Sequence, residues 1–287
     1  MLRMAFFLLR GKRISYYGTA TALNTARDSL AGASVGDYAL FAGGSTGSVS
    51  SVVDAYNTSL THSTPTALSA ARYELAGASV GDYALFAGGS TGSVSSVVDA
   101  YNTSLTRSIP TSLSKAREYL AGASIGDYAL FAGGRDSAST NVATVDAYNN
   151  SLTRSTPAVL NTGRNELVGV SVGNYALFAG GNTGSASSVV DAYNTSLTHS
   201  IPTALSTARD ELAGASVGDY ALFAGGSTGS VSSVVDAYNT SLTRSTPTAL
   251  SKARYILAGA SVGEYALFAG GNTAGSVSSV VDVYKYS

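Results

Sequence analysis

The chain has no cysteine and no tryptophan, and only two histidines, two methionines and five prolines in 287 residues. Without cysteine there is no disulfide, no thiolate metal site and no cysteine nucleophile. The histidines, His62 and His199, hold one equivalent position three repeats apart, so they share neither a metal nor a proton, and no Ser-His-Asp set can be assembled around them. Charge is also scarce. Charged residues make up 12% of the chain, with 17 Lys and Arg against 18 Asp and Glu, so no net field draws it to nucleic acid or to an anionic membrane. No apolar run approaches the ~20 residues of a membrane-spanning helix. At the N-terminus, MLRMAFFLLRGKR holds a six-residue apolar core, Met4 to Leu9, interrupted by Arg10. That is too short for a signal peptide, and it leaves the compartment open.

What is plentiful is glycine, with 32 residues, in a chain that is 45% hydrophobic. The stretch LFAGGSTGSVSSVVDAY, Leu40 to Tyr56, has the look of a glycine-rich phosphate loop. A phosphate loop needs a lysine after its last glycine and a helix whose N-terminus faces the anion; here Ser48-Val49 follows Gly47, with strand character beyond. The stretch also recurs. YALFAGG begins at Tyr38, Tyr83, Tyr128, Tyr175, Tyr220 and Tyr265, at spacings of 45, 45, 47, 45 and 45 residues. Six evenly spaced copies are an architecture rather than a nucleotide site, and a period in the forties points to propeller blades or helical-pair arrays.

Periodicity separates these two. Each unit has four short segments with turn signals between them. In the second unit they are ELAGASVG from Glu74, YALFAGG from Tyr83, SSVVDAYN from Ser95 and LTRSIPTSL from Leu105. The first two are joined by the two-residue turn Gly81-Asp82. None carries a helical apolar pattern, and four antiparallel strands make a propeller blade. All five prolines (Pro65, Pro110, Pro157, Pro202 and Pro247) fall at one place in the fourth segment, which suits an outer edge strand because proline lacks the ladder N–H. The Ala- and Gly-rich first segment suits the crowded inner strand. The sequence thus predicts an all-β fold, a six-bladed β-propeller with four antiparallel strands per blade, in a single domain over 13–287 after a short segment 1–12. The ends complement each other: SYYGTATALNTAR, from Ser15, aligns with a fourth strand and its linker, while the C-terminus stops after a third strand. Pairing of Ser15–Thr21 with Val280–Tyr284 is expected to close the ring.

A strand ending in a double glycine, a tyrosine about a dozen residues later, then a proline-containing strand and an arginine resemble the kelch repeat, over essentially the whole chain from Arg13. The tryptophan that normally follows the kelch tyrosine is missing. A WD-repeat propeller is the runner-up, but no Gly-His or Trp-Asp pair supports it. The copper-radical oxidases of kelch type need a cysteine crosslinked to tyrosine, which this chain lacks, and no cofactor is expected.

Strand alternation puts the fourth-to-first and second-to-third connections on one face, here the first face. The pair after each repeat arginine differs between copies: Asp28-Ser29, Tyr73-Glu74, Glu118-Tyr119, Asn165-Glu166, Asp210-Glu211 and Tyr255-Ile256. The third unit also has a longer second-to-third loop carrying Arg135 and Asp136. Variation on a repeated frame is what a recognition surface needs, and also what drift at exposed loops produces. The six arginines Arg27, Arg72, Arg117, Arg164, Arg209 and Arg254 either ring this face as anion binders, as the kelch resemblance implies for peptide-binding members, or bridge neighbouring blades through loop carbonyls. The candidate binding set is those arginines with Tyr73, Glu74, Glu118, Tyr119, Arg135, Asp136, Asp210 and Tyr255. On the opposite face Asp37, Asp82, Asp127, Asn174, Asp219 and Glu264 follow the inner-hairpin glycine, a position that turns alone explain.

The functional expectation is a monomeric, non-catalytic module binding a protein, peptide or glycan, with no nucleic acid and no membrane partner. The alternative is a carbohydrate-active propeller resembling the sugar-epimerising kelch proteins, with Glu74, Glu118, Glu166 or Glu211 as candidate bases.

Overall fold

A computed structural model describes residues 20–286, and every regular element among them is a β-strand. The strands form six antiparallel sheets in strict sequence order, five of four strands and a last one of three. These are the blades, spanning 31–63, 76–108, 121–155, 168–200, 213–245 and 258–285. The six-bladed propeller read from the sequence is the fold observed.

Within blade two, Ala76–Val80 pairs with Tyr83–Ala87, so that Val80 faces Tyr83 across the Gly81-Asp82 turn. Gly81 has φ +49°, the left-handed conformation that this tight turn requires and glycine adopts without strain. The third strand, Val98–Asn102, pairs outward with a fourth of only two residues, Arg107–Ser108. The prolines are therefore not in the edge strand. Pro110 lies two residues beyond Ser108, as Pro65, Pro157, Pro202 and Pro247 do in their blades, where the chain leaves the sheet and needs no ladder donor.

The inner strands crowd one axial channel lined by glycine, alanine and serine, with Val170, from all six blades. Small residues are required there: a Cβ on Gly77 or Gly122 would run into the carbonyl of the equivalent glycine one blade back. Farther out, Ala78, Val80, Leu85, Val98 and Ala100 of blade two pack on Ala129, Phe131 and Tyr148 of blade three, and the same pattern recurs along the array. Burying a side chain such as Phe131 is worth about 1.5–3 kcal/mol. Its partner Tyr148 meets it edge to face at 6.0 Å, and the Tyr148 hydroxyl donates to the Thr111 carbonyl of the preceding linker at 2.8 Å.

Five junctions between consecutive blades are built this way. Between blades six and one the described residues show none of this packing. Val262, Val281 and Val283 are 58%, 51% and 49% exposed where their blade-two equivalents are buried, Ala39 of blade one is exposed, and the nearest atoms to a Cβ on Gly32 belong to its own sheet. The expected closing strand, Ser15–Thr21, lies almost wholly outside the described residues. Its described end is docked on blade one: Tyr56 donates to the Thr21 carbonyl at 2.7 Å, the bond that Tyr101 makes to Thr66. Residues from Ala20 to Arg27 thus sit as an inter-blade linker does.

Candidate functional site

The recurring double glycine is settled by its geometry. Gly88 and Gly89 have φ +68° and +91°, and a Cβ on either would stand 2.6 Å from a backbone carbonyl, that of Arg117 or of Tyr73. The Gly89 N–H donates to the Arg117 carbonyl at 2.9 Å. The pair turns the chain at the end of the second strand and lets consecutive linkers approach.

The six arginines lie beneath the first face rather than on it. Arg72, Arg117, Arg164, Arg209 and Arg254 are fully buried, and the Arg27 side chain is as well. Arg72 pairs with Asp99 and donates to the carbonyls of Gly88 at 2.7 Å and Val97 at 2.8 Å. Arg164 holds Asp191 at 2.7 Å with the carbonyls of Gly180 and Phe178. Arg27–Asp54, Arg117–Asp146, Arg209–Asp236 and Arg254–Asp282 repeat the pairing. The Arg72 side chain serves blade two while its carbonyl accepts from Gly44 of blade one at 2.8 Å. Each guanidinium is thus spent inside the frame, because it is the one side chain with enough donors to satisfy a buried carboxylate and several carbonyls at once. The bridging role is the one the geometry supports, and anion capture at the surface is not available to these groups.

The histidines lie in the outer strands of blades one and four, each beside a buried aspartate. His62 Nε2 is 2.6 Å from Asp54 Oδ1 and His199 Nε2 is 2.7 Å from Asp191 Oδ1. Arg107, Arg154 and Arg244 take the same position toward Asp99, Asp146 and Asp236. In blades one to five this position thus places a His or Arg nitrogen beside a buried aspartate.

On the first face, the residue two places after each arginine has left-handed backbone although none is glycine: Ser29, Glu74, Tyr119, Glu166, Glu211 and Ile256, with φ between 51° and 56°. The backbone N–H of Glu74 donates to Ser29, Tyr119 to Glu74, Glu166 to Tyr119 and Ile256 to Glu211, at 3.0–3.1 Å. This hydrogen-bonded collar lies just ahead of the inner strands, at the mouth of the channel. The residue before it is bridged to the second-to-third loop, as Tyr73 is to Ser90 and Glu118 to Arg135, so the two variable positions of each blade are physical neighbours.

Four of the proposed contact residues converge. Arg135 pairs with Glu118 at 2.8 Å and lies 5.0 Å above the Tyr119 ring, and the Tyr119 phenol is pushed up by burial and by the Glu74 carboxylate near it. Asp136 takes Lys115 at 2.6 Å, and Asp210 accepts from Asn182 at 2.8 Å. Tyr73 and Tyr255 are partly exposed and stand apart from that cluster. Tyr255 lines a groove of about 520 Å³ with Ser230, Val231 and Thr273 between the loops of blades five and six. The extra residue Ala274 in the last loop helps form it; a count of the loop lengths in the sequence carries that signal.

The mouth is acidic. Burial raises the carboxyls of Glu74, Glu166 and Glu211 above their ordinary value. Neighbouring carboxylates add to it, Glu118 acting on Glu74 and Asp210 on both Glu166 and Glu211. On the opposite face, Asp37, Asp82, Asp127, Asn174, Asp219 and Glu264 are exposed in their hairpin turns, and no group of three potential metal ligands occurs among the described residues.

No family model and no curated protein matches the sequence. Among solved structures, that of YjhT superposes with a TM-score of 0.73, covering 93% of this chain and 99% of YjhT, at 13% identity. At that identity the likeness is one of fold.

Proposed function

We propose that the chain is a non-catalytic interaction module whose first face holds a protein, peptide or glycan partner. The contacts come from Tyr73, Glu74, Glu118, Tyr119, Arg135, Asp136, Asp210 and Tyr255. What carries this reading is the collar: the residues that vary between near-identical repeats are gathered at one end of the channel, while the repeated arginines beneath them are consumed by the frame.

Alanine scanning of both faces against a captured partner tests it. Tyr73→Ala or Tyr255→Ala should each cost roughly 2 kcal/mol of binding, because aromatic anchors dominate interfaces. Asp82→Ala and Asp219→Ala should leave affinity unchanged; losses confined to those two would place the site on the other face. The raised carboxyls of Glu74, Glu166 and Glu211 support the second reading, a carbohydrate-active propeller, since carboxyls shifted upward suit proton transfer. Turnover on acidic sugars that is abolished by Glu166→Gln or Glu211→Gln would decide for it.

A further inference from the structure

The channel wall is bonded in one way at four of the five packed junctions. At the collar, Glu74 donates its N–H to the Ser29 carbonyl, Tyr119 to Glu74, Glu166 to Tyr119 and Ile256 to Glu211. These bonds tie blade one to two, two to three, three to four and five to six. Deeper in the channel, serines repeat the links. The Ser34 N–H donates to the Ser79 hydroxyl at 3.2 Å, Ser79 to Ser124 at 3.0 Å and Ser216 to Ser261 at 2.9 Å, and the Ser171 hydroxyl donates to the Ser124 carbonyl. Between blades four and five both links are missing. Among the described residues, no collar bond joins Glu211 to Glu166, and no serine bond joins Ser171 to Ser216.

The cause lies in the inner strand of blade four. It reads VGVSV where blade two reads AGASV, so Val168 and Val170 stand where every other blade has alanine. A Cβ on Gly77, Gly122 or Gly259 would run into the carbonyl of the equivalent glycine one blade back. On Gly214 of blade five it would run into the Val170 side chain instead, with Val168 at 3.0 Å, and the Gly169 carbonyl is no closer than 3.7 Å. The added methyl groups fill space that backbone occupies elsewhere and hold the two inner strands apart. Farther out the junction is intact. Val172 and Leu177 still pack with Phe223 and Tyr238, and the Gly181 N–H still donates to the Arg209 carbonyl at 2.9 Å. The seam is confined to the channel wall.

Glu166 and Glu211, consecutive members of the collar, flank this seam. Burial raises both carboxyls, Asp210 raises both further, and Glu166 acts on Glu211. Glu166 also repels Glu74. The cation that acts on Glu166 is Arg135, which is already paired with Glu118 at 2.8 Å. The loosened place in the collar is thus also a place of uncompensated negative charge.

We propose that the seam between blades four and five is a charge-controlled opening at the mouth of the channel. With Glu166 and Glu211 ionised, their repulsion keeps the collar parted where the valines have loosened it. Once either is neutral, the Glu211 N–H donates to the Glu166 carbonyl and the collar closes as it does at the other junctions. A single backbone hydrogen bond has a modest net worth, so like charges in a partly buried site decide whether it forms. Closing brings the carboxyls together, and proton uptake therefore favours the closed form. The device changes the shape of the mouth whatever the first face holds, so it does not rest on the binding reading.

Residue-resolved hydrogen exchange on the full chain tests it. At pH 7 the Glu211 and Ser171 amides should be less protected than their counterparts Tyr119 and Ser79 by about fivefold or more, the factor that one net hydrogen bond is worth. At pH 4 the protection of Glu211 should rise to that of Tyr119. Glu211→Gln should produce the same rise at pH 7 and show no further change on acidification. Val168→Ala with Val170→Ala gives blade four the residues of its siblings, so it should fold, and it should raise the protection of Ser171 to that of Ser79. Equal protection of Glu211 and Tyr119 in the unaltered chain at pH 7 overturns the proposal, because the seam is then closed. Low protection that the double alanine variant raises, but neither acid nor Glu211→Gln does, makes the gap a fixed packing feature and also overturns it. So does protection that changes with pH equally at Glu211 and Tyr119, which reports overall stability.

Discussion

Gly88→Ala and Gly92→Ala separate the two things that repeated glycine does in this fold. Both residues have left-handed backbone, φ +68° and +96°, so an alanine at either carries about 1–2 kcal/mol of conformational strain. Their surroundings differ. At Gly92 no atom lies within 4 Å of the new Cβ, whereas at Gly88 it meets the Arg117 carbonyl at 2.6 Å and the Leu120 side chain at 2.9 Å. That carbonyl also accepts the Gly89 N–H at 2.9 Å, so moving it aside weakens a hydrogen bond worth about 0.5–1.5 kcal/mol net. The expected losses are therefore about 1.5–3.5 kcal/mol for Gly88→Ala and about 1–2 kcal/mol for Gly92→Ala. Urea unfolding followed by tyrosine emission and far-ultraviolet circular dichroism measures both, since the chain has no tryptophan. Equal losses at the two sites would refute the argument that the double glycine exists for close approach between consecutive linkers.

Asp99→Asn should cost about 3–5 kcal/mol in the same assay, because it leaves the fully buried Arg72 without its counter-charge; Asp282→Asn should cost less, since the Asp282 side chain is partly exposed. The Asp54 carboxyl is pushed up by burial but is held below its ordinary value of 3.8, on balance, by the Asn24 N–H, His62 and Arg27. Its contribution to stability is therefore complete above that value and lost as pH falls through the lower folded one. The raised carboxyls of Glu166 and Glu211 act in the opposite sense. Their contribution is complete below the ordinary value of 4.5 and lost as pH rises through the folded one, so Glu211→Gln should raise the urea midpoint at pH 7 and do less at pH 4. A midpoint lowered by Glu211→Gln at pH 7 would contradict the burial and repulsion described at the mouth.

The blade count, strand order and hairpin turns were legible because the repeat writes them six times. The period gives the unit, alternation gives the strands, and Gly81-Asp82 fixes a two-residue turn by local sterics alone. The small inner strand, ELAGASVG, was legible for the same reason, as crowding about an axis leaves no other composition. The roles of the arginines were not legible. A guanidinium six times repeated reads equally as a surface ring or a buried tie, and the choice depends on Asp99 and its equivalents, which lie 27 to 29 residues away and meet it only once the sheet has formed. His62 likewise meets Asp54, eight residues before it, only once the two strands have paired. The collar was half legible. Variation marked Tyr73-Glu74 and its equivalents, but only the fold revealed that the second residue of each pair has left-handed backbone and that most of them bond to a neighbour around the axis. Local sterics and periodicity act within one unit, so the sequence alone determined the blade. Burial and charge pairing act between units, and so the tertiary structure decided which repeated polar groups hold the frame and which lie at the surface.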